Sequence, residues 1–258
     1  MQPIKTVYYQ DPLKDEFSGT KIERLPLGKF VYAPKNVFWN IGSFLVYWFV
    51  FPLIWIFTRF LFVRVKGKKN RKGLRKTGVV VYGNHTQILD AFSGQMFATP
   101  GKRTYIVCNQ DTTSIKGVRW LVHMMGAIPT PENPAEAAQY HDCMVKRLKQ
   151  KASITIFPEA HIWPYYTHIR PFGDESFTFP AEVGAPVMAM VTTYRPRKVF
   201  KNKAPLPTIH LSKPFYPDMS LSLPERRKQL RDYVYEFMVR KTAEETNVEW
   251  IRYVKKPD

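Results

Sequence analysis

The chain is poor in cysteine and in acid: two cysteines in 258 residues, and 21 Asp and Glu against 39 Lys and Arg. Cys108 and Cys143 cannot build a disulfide framework, and no Cys-x-x-Cys or Cys/His spacing offers a structural zinc site. So little cysteine fits a reduced, cytosol-facing protein. There is also no Gly-x-Ser-x-Gly elbow, internal repeat or low-complexity tract. These absences set aside a serine nucleophile on such a turn, a repeat architecture and a disordered chain. At 45% hydrophobic residues, the chain has material for a sizeable core. The formal charge of +18 calls for an anionic partner, whether nucleic acid, membrane surface or phosphorylated co-substrate.

Between Lys35 and Arg59 lie 23 residues without a charge, rich in Phe, Trp and Tyr. The stretch is long enough for a transmembrane helix, but Pro52 interrupts it, and Trp39, Trp48 and Trp55 are spread along it instead of gathering at two interfaces. Both features favour a membrane-embedded helical hairpin in one leaflet. Immediately after it, the 13 residues from Arg64 to Lys76 carry eight cations and no acid. Beside an apolar insertion, such a strip is attracted to anionic headgroups by about 1 kcal/mol per cation. An anionic membrane surface, and not nucleic acid, is therefore the expected partner, approached from the cytoplasmic side. The chain divides into a surface segment with little regular structure (1–35), the hairpin with its polybasic strip (36–76) and a large remaining portion (77–258).

From residue 77, short β-branched runs alternate with longer helical patterns. Strands are predicted at Gly78–Tyr82, Thr104–Cys108, Ser153–Phe157, Val187–Thr193 and Thr208–Leu211. Helices are predicted at Ile88–Phe97, Ile115–Met125, Pro134–Gln150 and Pro224–Glu245. The alternation implies an α/β fold whose central sheet, mostly parallel or mixed, is flanked by helices.

The first strong strand runs into Gly83-Asn84-His85-Thr86-Gln87-Ile88-Leu89-Asp90. A polar loop leaving a strand of an open α/β sheet is where chemistry collects. Five residues apart, His85 and Asp90 would stand about 140° apart on one helix, so His85 belongs to the turn and Asp90 to the helix after it. An imidazole oriented by a carboxylate is a general base. Neither cysteine lies beside this turn, which argues for direct transfer without a covalent intermediate.

A second strand, Ser153 to Phe157, runs into Pro158-Glu159-Ala160-His161. With His-x4-Asp ahead of it and Gly184-Ala185-Pro186-Val187 after it, the chain resembles the glycerolipid acyltransferase family over roughly residues 77–193. The resemblance implies transfer of a fatty acyl group from an acyl thioester, acyl-CoA or acyl carrier protein, to a hydroxyl of a lyso-glycerolipid, with no cofactor beyond that co-substrate. It makes His85 the base and Asp90 its partner, and it places Phe157, Pro158 and Glu159 at the acceptor.

The departures bear on the acceptor. In the block that starts at Gly126, Glu132 stands where the family has an acceptor-phosphate arginine, and His161 falls within the run where the family has Gly-Thr-Arg-Ser. Either Arg170 supplies the missing guanidinium, or Glu132 and His161 face a neutral or amine-bearing headgroup. Lys102, Arg103, Arg195, Arg197 and Lys198 are candidates for the phosphates of an acyl-CoA. Two other readings remain: a metal-dependent lipid hydrolase with His85, Asp90, Glu159 and His161 as ligands, and a non-enzymatic basic adaptor.

Overall fold

The computed structural model describes residues 4–17, 30–59, 62–113, 117 and 119–257. In chain order the elements are β1 (Lys5–Tyr9), α1 (Val37–Arg59), β2 (Arg64–Lys66), β3 (Val79–Gly83), α2 (Asp90–Ser93), β4 (Thr104–Cys108), α3 (Gln110–Thr113), α4 (Arg119–Met124), β5 (Ala127–Pro129), α5 (Pro134–Lys149), β6 (Ser153–Ile156), α6 (Thr178–Val183), β7 (Val187–Arg195), β8 (Leu206–Leu211), α7 (Leu223–Glu244) and β9 (Ile251–Lys255).

Seven strands form one mixed sheet in the order β2-β8-β7-β3-β6-β4-β5. Every neighbouring pair is parallel except β7 with β8. The carboxyl ends of β3, β6, β4 and β5 therefore share one edge, with β3 and β6 adjacent. That adjacency brings the two motif-bearing loops side by side.

β3 is central, and all five of its residues are buried, as expected of a parallel strand covered on both faces. Its alternation sorts the core in two. Val80 and Tyr82 pack with Met144 and Leu148 of α5 and with Leu230, Val234 and Met238 of α7. Val79 and Val81 face Leu74, Ala98, Ile209 and Leu211. The helices that close the first layer carry clear start signals. Asn133 caps α5, its side chain accepting the Glu136 N–H at 2.9 Å, and Ser222 with Glu225 forms a capping box on α7.

The expected fold class holds, as do the five predicted strands and the two long helices, to within two residues at each end. Ile88–Phe97 divides into α2 and a π-helical turn, Gly94–Ala98. Gly94 explains the tight seat there, because a Cβ at this position would come within 1.9 Å of Thr155 Oγ1 on β6. Of Ile115–Met125 the structure shows α4, while residues 114–116 and 118 lie outside the described residues.

Three features differ from expectation. The segment read as irregular contains β1, which pairs in parallel with β9 from the other end of the chain. The polybasic strip contains β2, which joins the main sheet through β8. The apolar stretch is not a hairpin: α1 runs unbroken through Pro52. Proline removes one backbone donor and strains one turn, at a cost of about 3 kcal/mol. Docking on both sides of Pro52 offsets this. Ser43 Oγ donates to the Met124 carbonyl at 2.8 Å, and the Tyr47 hydroxyl donates to the Lys102 carbonyl and accepts the Thr104 N–H. Tyr47, Phe51 and Thr58 are buried as a stripe, whereas Phe38, Phe44, Leu45, Phe49, Leu53, Ile56 and Phe57 remain exposed.

Lys102 and Arg103, candidates for phosphate contact, are instead part of this docking. Lys102 Nζ is buried on the carbonyls of Leu74 and Thr77, and burial pulls its pKa down to about 8. Arg103 donates to Ser43 and Met124 and lies over the Tyr47 ring.

Candidate active site

The turn after β3 holds His85 and Asp90 together. His85 Nδ1 stands 3.4 Å from Asp90 Oδ2, and the same oxygen accepts the backbone N–H groups of Thr86 and Gln87 at 2.7 Å each. The carboxylate thus fixes the turn and faces the imidazole, leaving Nε2 as the nitrogen free for a substrate. A separation of 3.4 Å is at the long end for a hydrogen bond, as is usual before substrate tightens a catalytic pair. The imidazole lies flat on Phe157, with ring centroids 4.3 Å apart and planes at 16°.

The turn is held from several sides. Asn84 clamps it to β7, accepting the Thr192 N–H at 2.8 Å and donating to the Thr192 carbonyl at 3.1 Å. The Tyr194 hydroxyl donates to Thr86 Oγ1 at 2.7 Å. Trp163 and Tyr165 donate their N–H groups to the carbonyls of His85 and Thr86. Sequence reasoning missed Asn84 and Tyr194 as supports. Asn84 is at least adjacent to the motif, but Tyr194 is distant in the chain and reaches the turn only because β7 lies beside β3.

Glu159 does not face outward. Its Oε2 accepts the His85 N–H at 3.2 Å, and its Oε1 accepts the Arg170 N–H at 2.9 Å. Arg170 Nη2 lies 3.4 Å from Glu159 Oε2 and also donates to the His161 carbonyl. Both side chains are 1% exposed. Burial raises the Glu159 pKa, opposed by the Arg170 charge and the two backbone donors. Burial likewise lowers that of Arg170, opposed by Glu159. Of the two alternatives for Arg170, its guanidinium is here an internal strut, and Glu159 holds the His85 backbone N–H.

The other expected residues scatter. Pro158 is half-buried in the turn after β6. The His161 ring points toward Glu16, 3.8 Å away. Glu132 is exposed at the start of α5, its N–H donating to Glu136. It follows β5, three strands from β3, so about 14 Å from the His85 turn at ordinary strand spacing. Gly126 is buried beside β4 with φ +102°, and a Cβ there would press on the Thr104 carbonyl at 2.9 Å, so its role is in the backbone. The aromatics after Glu159 divide: Tyr165 lines the cleft described below, whereas Trp163 stacks on Tyr253 and packs with Tyr9 and Phe17, pinning both chain ends. Among the described residues no three His, Cys, Asp or Glu side chains gather to hold a metal ion, so the four-ligand hydrolase reading lacks its site.

Ala160 follows Glu159 with φ +63°, a left-handed conformation at the position where the Phe-Pro-Glu motif has glycine. An L-residue carries about 1–2 kcal/mol of strain there. Ala160→Gly is expected to raise stability by about 1 kcal/mol, or about 2–4 °C in melting temperature, by thermal unfolding. A fall in Tm would show that the turn is not strained.

Asp90 opens onto a cleft of about 270 Å³. Its lining mixes Leu89, Met96, Phe97, Leu206 and Ile209 with Gln87, Ser93, Thr192 and Arg197, and it reaches Thr58 of α1. It runs from Asp90 to Thr58 near the end of the apolar helix.

No curated protein matches the chain. Among solved structures, the 1-acyl-sn-glycerophosphate (LPA) acyltransferase PlsC from Thermotoga maritima superposes with a TM-score of 0.53 at 18% identity, covering 72% of this chain and 74% of that one. The likeness is one of fold. The family model described as Acyltransferase matches residues 62–193, just over half the chain, and spans β2 to β7 with both motif loops. The chain therefore belongs to the acyltransferase family.

Proposed function

We propose that this protein transfers a fatty acyl group from an acyl thioester, acyl-CoA or acyl carrier protein, to a hydroxyl of a lyso-glycerolipid, working at the cytoplasmic face of a membrane. The observation that carries the reading is the His85–Asp90 pair, whose Asp90 lines a cleft of mixed polar and apolar side chains that extends to Thr58 of α1. His85 Nε2 takes the proton from the acceptor hydroxyl as its oxygen attacks the thioester carbonyl. Asp90 holds the imidazole in register and stabilises the imidazolium. When the intermediate collapses, the C–S bond breaks and the imidazolium returns the proton to the leaving thiolate. All groups in this cycle belong to the protein or its two substrates, so no further cofactor is required.

The membrane part rests on α1, which from Val37 to Thr58 is apolar and long enough to cross a bilayer. Its docked stripe ties it along the domain, which favours a monotopic arrangement with the exposed aromatic face in one leaflet and the polybasic strip against anionic headgroups.

Arg170 is turned inward onto Glu159, which supports an acceptor with a neutral or amine-bearing headgroup. Turnover of purified protein with acyl-CoA and a panel of lyso-lipids tests this. The expected preference over lysophosphatidate is about tenfold, the worth of one hydrogen bond to a charged group. A preference for lysophosphatidate overturns the headgroup assignment, and the absence of transfer from any acyl thioester overturns the function.

A further inference from the structure

The loop from β7 to β8, residues 196–205, contributes only Arg197, Ala204 and Pro205 to the cleft. Its tip, Val199 and Phe200, is 68% and 65% exposed, and Lys198, Lys201 and Lys203 surround it. No acid occurs between Glu182 and Asp218 to balance these charges. The tip is a closed turn: the Lys203 N–H donates to the Phe200 carbonyl at 3.0 Å, and the Lys203 ammonium lies 5.2 Å from the Phe200 ring centre. Below it, Arg197 Nε donates to the Ala204 carbonyl at 2.6 Å. The two apolar side chains are thus held out into solvent.

The base of the loop abuts the end of α1. Arg195 donates to the Phe62 carbonyl at 2.6 Å, and Phe62 is itself 64% exposed. The other terminal nitrogen of Arg195 has no hydrogen-bond partner among the described residues. Burial, and then the charges of Arg64 and Arg197, lower its pKa. A positive surface with three protruding apolar side chains, Phe62, Val199 and Phe200, therefore lies beside the carboxyl end of α1. Apolar tips rimmed by cations match the boundary between acyl chains and anionic headgroups.

We propose that the β7–β8 loop is a second membrane contact, with Val199 and Phe200 entering an anionic leaflet, Lys198, Lys201 and Lys203 on lipid phosphates, and the cleft mouth held against the lipid between this loop and α1. The proposal rests on the membrane reading of the function, and the two are separated by measuring binding and loop insertion independently.

The full chain carrying Val199→Cys is labelled with an environment-sensitive nitrobenzoxadiazole probe and mixed with vesicles of phosphatidylcholine and phosphatidylglycerol. The unsubstituted chain, labelled in parallel, corrects for Cys108 and Cys143. Co-sedimentation reports binding of the whole protein. The expected result is a blue shift on vesicle addition and quenching by lipids spin-labelled near the headgroup. A chain that sediments with the vesicles while the probe stays aqueous and unquenched overturns the loop contact alone. A chain that does not sediment overturns the membrane reading, and the loop contact with it. A blue shift without lipid would assign the tip to a protein contact and also defeat the proposal. Val199→Asp with Phe200→Asp is expected to lower partitioning about tenfold or more and leave turnover of a soluble short-chain thioester unchanged.

Discussion

Replacing His85 with alanine is expected to lower kcat/KM for acyl transfer by about 10²–10⁴-fold, the usual contribution of a positioned general base. The fold should survive. Among the described residues the imidazole contacts Asp90 and Phe157, whereas the backbone of the turn is held separately by Glu159, Trp163 and Tyr165. Asp90→Asn discriminates further. Its amide oxygen can still accept the Thr86 and Gln87 N–H groups, so the turn persists, but the charge opposite the imidazolium is gone. A rate loss smaller than that of His85→Ala is expected, with the melting temperature nearly unchanged. Steady-state kinetics beside thermal unfolding provides the check. If His85→Ala retains full acyl transfer, His85 is not the base.

Breaking the Glu159–Arg170 pair is expected to be the most damaging change to stability. Arg170→Met leaves a carboxylate inside the protein with only two backbone donors, and it removes the ties to His161 and Pro12 and the cation over Trp163. Removing one member of a buried ion pair costs about 3–5 kcal/mol, or about 10 °C for a chain of this size. Glu159→Gln is expected to cost a similar amount. It should also reduce kcat, because the His85 N–H loses a charged acceptor. The double variant Glu159→Gln, Arg170→Met should be less destabilised than the sum of the singles, with a coupling of about 1–3 kcal/mol for groups in one network. Additive losses in the double-mutant cycle would mean that the two side chains act independently. Unchanged melting with lost turnover of lysophosphatidate would return Arg170 to the acceptor.

These two predictions separate what local patterning reveals from what it conceals. His85 and Asp90 were legible because five residues and a strand end place them together, and Asp90 binds its own turn. Glu159 and Arg170 were legible as residues but not as partners. Their pairing requires the loop from 160 to 169 to fold back over Trp163, and nothing in periodicity encodes that. Tyr194 was invisible for the same reason, since its hydroxyl meets Thr86 across a strand pair. The Pro52 reading failed because a local penalty was weighed without Ser43 and Tyr47 finding Met124, Lys102 and Thr104.

The amino-acid pattern on its own determined the α/β class, the core strands and long helices, the basic and apolar character of the first third of the chain and the closeness of His85 to Asp90, because each arises from interactions between residues near one another in the chain. Strand order, the pairing of β1 with β9 and of β2 with β8, the inward turn of Glu159 and Arg170, and the cleft between α1 and the β7–β8 loop were decided only by the tertiary structure. Each joins distant segments, and which distant groups meet depends on the packing of the whole sheet.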